Sequence, residues 1–215
     1  QLGPITLQPS EFSKIIMIVA LAAMLEDRVG KLNTISDILP VVGYVALPFL
    51  LVLKQPDLGT SLVFIAILLG MIFVAGVNLR ILALSFAAGI AVSPLLWHFL
   101  KDYQKMRLKV FLDPSVDPLG SGYHIIQSKI AIGSGLIFGK GLFGGTQSQL
   151  NFLPENHTDF IFAVVGEELG FVGAAALLLL YLVVLWRGVK IARDANDAFG
   201  RLLAVGITSM LAFHV

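Results

Sequence analysis

The chain has 215 residues, of which 57% are hydrophobic and 13% are charged, and its formal net charge is +1 at pH 7. A soluble domain carries about 25% charged residues. The composition therefore indicates an integral membrane protein, and the small net charge provides no basic surplus for binding nucleic acid. Cysteine is absent, which excludes disulfides, cysteine metal sites and a cysteine nucleophile.

Six apolar segments predict membrane helices, for which a full span takes about 20 apolar residues. In chain order they cover residues 11–25, 38–53, 61–77, 81–100, 160–186 and 202–215. The first two are short, and the last begins a span that breaks off at Val215. The chain opens at Gln1 without a visible signal peptide. We therefore expect an all-α polytopic transmembrane helix bundle, a single membrane domain over residues 1–215 that is truncated at both ends.

Residues 101–159 are predicted to form one long loop between the fourth and fifth helices. The loop contains six Lys or Arg residues and a run of glycines between positions 133 and 145. Gly139–Gly144 matches a G-x-G-x-x-G pattern, but no strand–turn–helix unit surrounds it. Two interpretations stay open: a tight re-entrant turn with packing glycines, or a loop whose backbone amides and lysines bind phosphate.

The orientation in the membrane is only weakly indicated by the basic residues. One side has seven Lys or Arg residues in the loops 26–37, 78–80 and 187–201, and the other side also has seven, six of them in the long loop. Long loops count little in the positive-inside rule, which favours the first side as cytoplasmic.

Charged residues near the first helices have structural explanations, which compete with a functional one for Glu11 and Lys14. Glu11 and Lys14 are three residues apart, which places them on one helix face. They form either an ion pair that sets the depth of the helix or the charged lining of a cavity. Asp57 lies between Pro56 and Gly59, where turn chemistry alone accounts for it.

The segment 152–173 places carboxylates at the mouth of an apolar helix and inside it. Asp159 follows His157 and Thr158 directly before the fifth helix, where it is either part of a helix cap or a general base. Glu167 and Glu168 lie deeper, where an ionised carboxylate costs roughly 2.5–3.5 kcal/mol on insertion scales. Because adjacent helix residues point about 100° apart, at least one of them should face a polar cavity or a partner helix.

Several separate motifs, in this order along the chain, resemble the SEDS family (shape, elongation, division, sporulation). They are LQPSEFSK at 7–14, QPDLGTS at 55–61, and residues 122–173 from GYHIIQSKIAIG to FLPENHTDFIFAVVGEELGFVG. The sequence GTQSQLNFLPE resembles the rod-shape branch of the family more than the division branch. Two further family signatures would fall before residue 1 and after residue 215, which agrees with a fragment.

The resemblance implies about ten transmembrane helices, with the long loop outside the cell. It implies a peptidoglycan glycosyltransferase for cell elongation that joins lipid II units, with Asp159 as the base that takes the proton of the acceptor hydroxyl. Glu11, Lys14 and Asp57 match polar positions that line the family's cavity. From charge and location we also expect Arg107 and Lys140 to offset pyrophosphate charge. The candidate substrate or cavity residues further include His157, Thr158, Glu167 and Glu168.

The resemblance also implies a class B penicillin-binding protein as partner and the bacterial inner membrane as location. No cofactor motif and no metal-ligand set is visible, although a divalent cation would suit the pyrophosphate leaving group. Two alternatives from other classes stay open: a lipid II flippase or transporter, and a non-catalytic scaffold of a wall-synthesis complex. The chain shows no self-similar halves of the kind many transporters have.

Overall fold

The computed structural model describes residues 9–55, 58–120, 122–149, 152 and 159–214, and all regular structure within these ranges is helical. The first apolar helices are α1 (Pro9–Glu26), α2 (Ile35–Lys54), α3 (Leu58–Val74) and α4 (Leu79–Phe99). After the central region follow α8 (Ile161–Asp194) and α9 (Ala198–Ala212). These helices confirm the predicted fold class. The largest difference from the predicted bounds is in α8, which continues past residue 186 to Asp194.

The region predicted as one loop contains helices of its own. They are α5 (Asp102–Leu112), a 3₁₀ turn (Pro114–Val116), α6 (Tyr123–Ser134) and α7 (Thr146–Gln149). The Lys101 amide donates to the Gln104 side chain over 3.0 Å, which satisfies a donor at the start of α5. Polar and glycine-rich composition suggested a loop, whereas local capping and packing make much of this region helical.

Two of the described helices, α2 and α8, are long and apolar enough to cross a membrane. Shorter apolar helices cover Gly59–Val74, Leu79–Leu95 and Ala198–Ala212. Pro40 and Pro48 lie inside α2, which membrane helices tolerate when neighbouring groups satisfy the freed carbonyls. The chain is a polytopic membrane helix bundle.

The chain divides into two compact units, Gln1–Ser93 with Val184–Val215, and Pro94–Val183. In the first unit α1 and α3 both pack on α9, and α2 packs on α3. Gly206 permits this approach, because a Cβ there would overlap the side chains of Ile18 and Met71. The core is formed by fully buried apolar side chains of these helices, among them Ile18, Leu21, Phe64, Ile67 and Met71.

In the second unit α6 lies against the start of α8. Ala131 of α6 and Ala163 of α8 are buried together, and Phe160 packs against them. Gly166 continues this contact one turn later, since a Cβ there would lie 3.1 Å from the Ile132 side chain. The first turns of α8 are therefore held by tertiary contacts from α6.

Candidate active site

The first charged cluster joins α1 to the end of α9 within the first unit. The Lys14 ammonium donates to Glu11 Oε1 over 2.8 Å and lies 3.0 Å from His214 Nε2. Lys14 is 1% exposed, whereas Glu11 is 54% exposed. The cation is thus buried, and its carboxylate partner reaches the surface of the unit.

His214 belongs to this cluster although no spacing in the sequence indicated it. Its Nδ1 atom lies 2.8 Å from the Met210 carbonyl. Because a carbonyl only accepts, Nδ1 must carry the proton, and Nε2 is left as an acceptor for the Lys14 ammonium. The neutral Nδ1–H tautomer is therefore the form that satisfies both contacts.

The second charged cluster is built around a break in α8 at Gly170, where φ is 66° and ψ is −164°. In an unbroken helix the amides of Phe171 and Val172 would donate to the carbonyls four residues earlier. Here they donate to the carbonyls of Leu136 and Ile137, over 2.8 and 3.1 Å. The second half of α8 therefore takes its first acceptors from the glycine-rich region that follows α6.

The other side of the break is satisfied by the same region. The carbonyls of Glu167 and Glu168, freed by the break, accept from the amides of Lys140 and Gly141 over 3.0 and 2.9 Å. We call residues 136–141 the inserted segment. Its backbone forms four hydrogen bonds with the backbone of α8, in place of the two helical hydrogen bonds that are lost at the break. Irregular backbone at membrane depth is tolerated only where protein groups satisfy it in this way.

Glycines allow the inserted segment to approach α8. A Cβ at Gly139 would overlap the Glu168 carbonyl and the amide nitrogen of Gly170, and a Cβ at Gly135 would overlap the Gly166 carbonyl. Gly139 and Gly170 also have positive φ, 78° and 66°, which favours glycine. These contacts favour the interpretation as a tight turn with packing glycines, since α8 already occupies two of the amides that a phosphate would need.

The carboxylate of Glu167 accepts several hydrogen bonds beside the break. Glu167 is fully buried, and its Oε1 accepts from the Lys140 ammonium over 2.7 Å and from the Gln147 amide over 3.0 Å. Thr146 bridges the ion pair, because its hydroxyl accepts from Lys140 over 2.9 Å and lies 3.2 Å from Glu167 Oε1. The Glu167 carboxylate therefore faces polar groups of the region between α6 and α8.

Asp159 lies exposed in the turn directly before α8. The Phe160 carbonyl accepts from the amides of Ala163 and Val164, over 2.9 and 3.2 Å, so Phe160 occupies the N-cap position. Asp159 precedes the cap by one residue. The imidazole of His124, another residue that the sequence did not single out, lies 6.2 Å from the Phe160 ring, and its buried Nδ1 has no hydrogen-bond partner among the described residues.

The remaining predicted residues add no side chain to these two clusters or lie outside the described ranges. The side chain of Glu168 is half-buried on α8, and Arg107 is exposed on α5. Asp57, His157 and Thr158 lie outside the described residues. Within the ranges that the structure describes, no three His, Asp or Glu side chains are grouped as metal ligands.

An apolar cavity of about 850 Å³ adjoins the helix break in the second unit. Its lining comes from α6, the inserted segment and both halves of α8, and includes Ile132, Leu136, Phe162, Phe171 and Leu178. A cavity of this size and lining accommodates an apolar ligand chain.

Comparison with known proteins identifies the family. The family model FTSW_RODA_SPOVE, described as "Cell cycle protein", matches residues 1–215. The chain is 46% identical over 215 residues to peptidoglycan glycosyltransferase MrdB of Escherichia coli (strain K12), covering 100% of this chain and 58% of that protein. It is 43% identical over 220 residues to stage V sporulation protein E of Bacillus subtilis (strain 168), covering 99% and 58%.

A solved structure is also similar. It is described by the words "Structural coordination of polymerization and crosslinking by a peptidoglycan synthase complex", and one of its chains matches with a TM-score of 0.74 and 34% identity. The match covers 99% of this chain and 58% of that one. The chain thus spans 58% of the length of these relatives. Since the family model covers all 215 residues, the chain belongs to the FtsW/RodA/SpoVE family of cell cycle proteins, as its resemblance to the SEDS family predicted.

Proposed function

We propose that the full-length protein is a peptidoglycan glycosyltransferase that polymerises lipid II, with Asp159 as general base. The observation that carries this proposal is an exposed carboxylate, directly before α8, in a chain with 46% identity to a named peptidoglycan glycosyltransferase. A general base must reach the proton that it removes. Asp159 meets that requirement better than the buried Glu167.

In the proposed reaction Asp159 takes the proton of the acceptor sugar 4-hydroxyl while that oxygen attacks the anomeric carbon of the donor. The bond from that carbon to the pyrophosphate breaks, and undecaprenyl pyrophosphate leaves with the electron pair. Arg107, exposed on α5, is suited to offset the charge of the leaving group. A divalent cation carried by the pyrophosphate would serve the same purpose.

The test is polymerisation of purified lipid II by full-length protein that carries Asp159→Asn. We expect loss of glycan product at unchanged membrane yield. The matched control is Asp102→Asn, which removes another exposed carboxylate, from the first turn of α5, and should leave the rate unchanged. Wild-type product from Asp159→Asn would reject Asp159 as the base.

We propose that Glu11, Lys14 and His214 line a polar cavity of the first unit, as the family resemblance implies for Glu11 and Lys14. Glu11→Ala should lower the polymerisation rate without lowering membrane insertion, because removal of a charge makes insertion easier. Normal activity with altered membrane yield would assign the cluster to helix placement instead.

A lipid II transporter is the second candidate, and the break in α8 is the observation that favours it. Discontinuous helices carry the binding sites of many transporters. In this chain the inserted segment already satisfies the broken backbone, which favours a fixed site over a moving one. Lipid II scrambling in vesicles that depends on the protein, with no polymer formed, would support the transporter.

We also propose an elongation role, a class B penicillin-binding protein as partner, and an inner-membrane location with the region 101–159 outside the cell. The identity to MrdB and the crosslinking named for the similar synthase complex support these proposals. Restoration of rod shape by the full-length protein, in rod-shaped cells depleted of their elongation polymerase, tests the role. Rescue of division alone would contradict it.

A further inference from the structure

We propose that Glu167 and Lys140 are positioning residues, which hold the inserted segment in the break of α8 and thereby fix the short helix that begins beside Asp159. The inference rests on the proposed function, because its consequence is the rate of glycan synthesis. Neither residue needs to touch substrate for this role.

The two residues are joined twice. The Lys140 amide donates to the Glu167 carbonyl over 3.0 Å, and the Lys140 ammonium donates to Glu167 Oε1 over 2.7 Å. The same carboxylate oxygen accepts from the Gln147 amide over 3.0 Å. One buried carboxylate therefore ties the inserted segment and the start of α7 to a single turn of α8.

The helix that follows Asp159 needs such support. Its regular part runs from residue 161 to the break at Gly170, and isolated helices shorter than about 12–15 residues are marginally stable. The α6 contacts of Ala163 hold its first turn, and the inserted segment holds its last turn through the carbonyls of Glu167 and Glu168. Loosening the last turn would let the helix, and Asp159 with it, shift against the rest of the unit.

The ion pair can be removed by mutation, whereas the backbone hydrogen bonds at the break cannot. Glu167 is 0% exposed, and Lys140 is 28% exposed. Replacing both partners of a buried pair by neutral side chains of similar volume is often neutral for stability, whereas removing one partner strands a charge. A double neutral variant therefore separates positioning from folding.

The experiment uses full-length protein with Glu167→Gln and Lys140→Met combined, assayed on purified lipid II. We expect wild-type yield and thermal stability, turnover reduced about ten- to a hundredfold by misplacement of the base, and an unchanged half-saturating lipid II concentration. Hydrogen exchange should become faster in peptides that cover residues 136–141 and 168–173. Lys140→Arg alone, which keeps a cation opposite Glu167, should retain most of the rate.

Wild-type turnover, or unchanged hydrogen exchange, in the double variant would overturn the inference. A raised half-saturating concentration at unchanged turnover would overturn it in favour of Lys140 as a pyrophosphate ligand. The matched control combines Glu26→Gln and Lys109→Met, two exposed residues, and should behave as wild type. Absence of glycan product from the wild-type full-length protein in the same assay would contradict the proposed function, which is a result distinct from failure of the positioning pair alone.

Discussion

Two ion pairs among the residues that the structure describes bury opposite partners. In the pair of α1 the lysine is 1% exposed and the glutamate 54%, whereas beside the break in α8 the glutamate is 0% exposed and the lysine 28%. The first pair spans three residues of one helix, and the second joins a helix to a segment 27 residues earlier in the chain. The first pair therefore lies within one helix, whereas the second connects two separate segments of the chain.

The difference teaches that the consequence of a substitution depends on the partner that is left behind. Removing Lys14 leaves Glu11, whose side chain is exposed on the surface of its unit. Removing Lys140 leaves Glu167, whose carboxylate also accepts from neutral donors, among them Ser134, Thr146 and Gln147. A stranded exposed charge is hydrated at little cost, and a stranded buried charge is not.

The largest expected effect comes from the comparison of Lys140→Met with Lys14→Met. Lys140→Met should lower the free energy of unfolding by about 3–5 kcal/mol, because it removes the cation that lies 2.7 Å from a buried carboxylate. Lys14→Met should change it by no more than about 1 kcal/mol, since the carboxylate left behind is exposed. Thermal unfolding in detergent compares the two variants, and equal destabilisation would show that burial of the partner does not decide the outcome.

The next effect tests whether the second pair depends on the backbone around it. Gly170→Ala should destabilise the protein by about 2–5 kcal/mol, of which about 1–2 come from the strained positive-φ backbone and about 1–3 from overlap with the Gly139 amide nitrogen and the Ile137 carbonyl. Gly89→Ala in α4 is the control, because open space surrounds that position. Similar melting temperatures for the two variants would mean that an alanine at position 170 is accommodated without loss of stability.

A smaller effect is expected from His214, which lies beside the Glu11–Lys14 pair. His214→Phe should destabilise by about 1 kcal/mol, since the Lys14 ammonium loses an acceptor. His214→Gln offers an amide oxygen in place of the imidazole nitrogen and should recover most of this loss. The same melting experiment measures both, and an equal loss in the Gln variant would attribute the effect to packing rather than to the hydrogen bond.

The smallest effect is expected at Asp113, an exposed carboxylate that is bound by neutral donors. Its stabilisation should be weaker than that of either ion pair. The hydroxyl and amide of Ser115 hold the pKa of Asp113 below its ordinary value. A lowered pKa means that the folded state favours the ionised form, so this stabilisation is present above the ordinary pKa of about 4 and is lost as pH falls through the lower folded value. Protection of the Ser115 amide, measured as its exchange rate relative to the intrinsic rate at each pH, should fall only in that acidic range, and Asp113→Asn should remove this pH dependence. Loss of protection near neutral pH would contradict the assignment.

Prediction from sequence succeeded where the signal is local. Long apolar runs indicated the helices, a spacing of three indicated the Glu11–Lys14 pair, and the motifs of residues 122–173 indicated the family. The helices within 101–159 were missed because their composition is mixed and glycine-rich. His214 was missed because its partner Lys14 lies 200 residues away, beyond any periodic pattern.

Hydropathy and motif order are local properties of the chain, so they already indicated the membrane class, the family and the carboxylates at the start of the fifth predicted helix. Tertiary packing decided which of two adjacent glutamates is buried, and with which partner. It also decided that the glycine-rich region completes a broken helix. Those outcomes depend on close approach of distant backbone, since the groups freed at Gly170 must find hydrogen-bond partners wherever the fold supplies them.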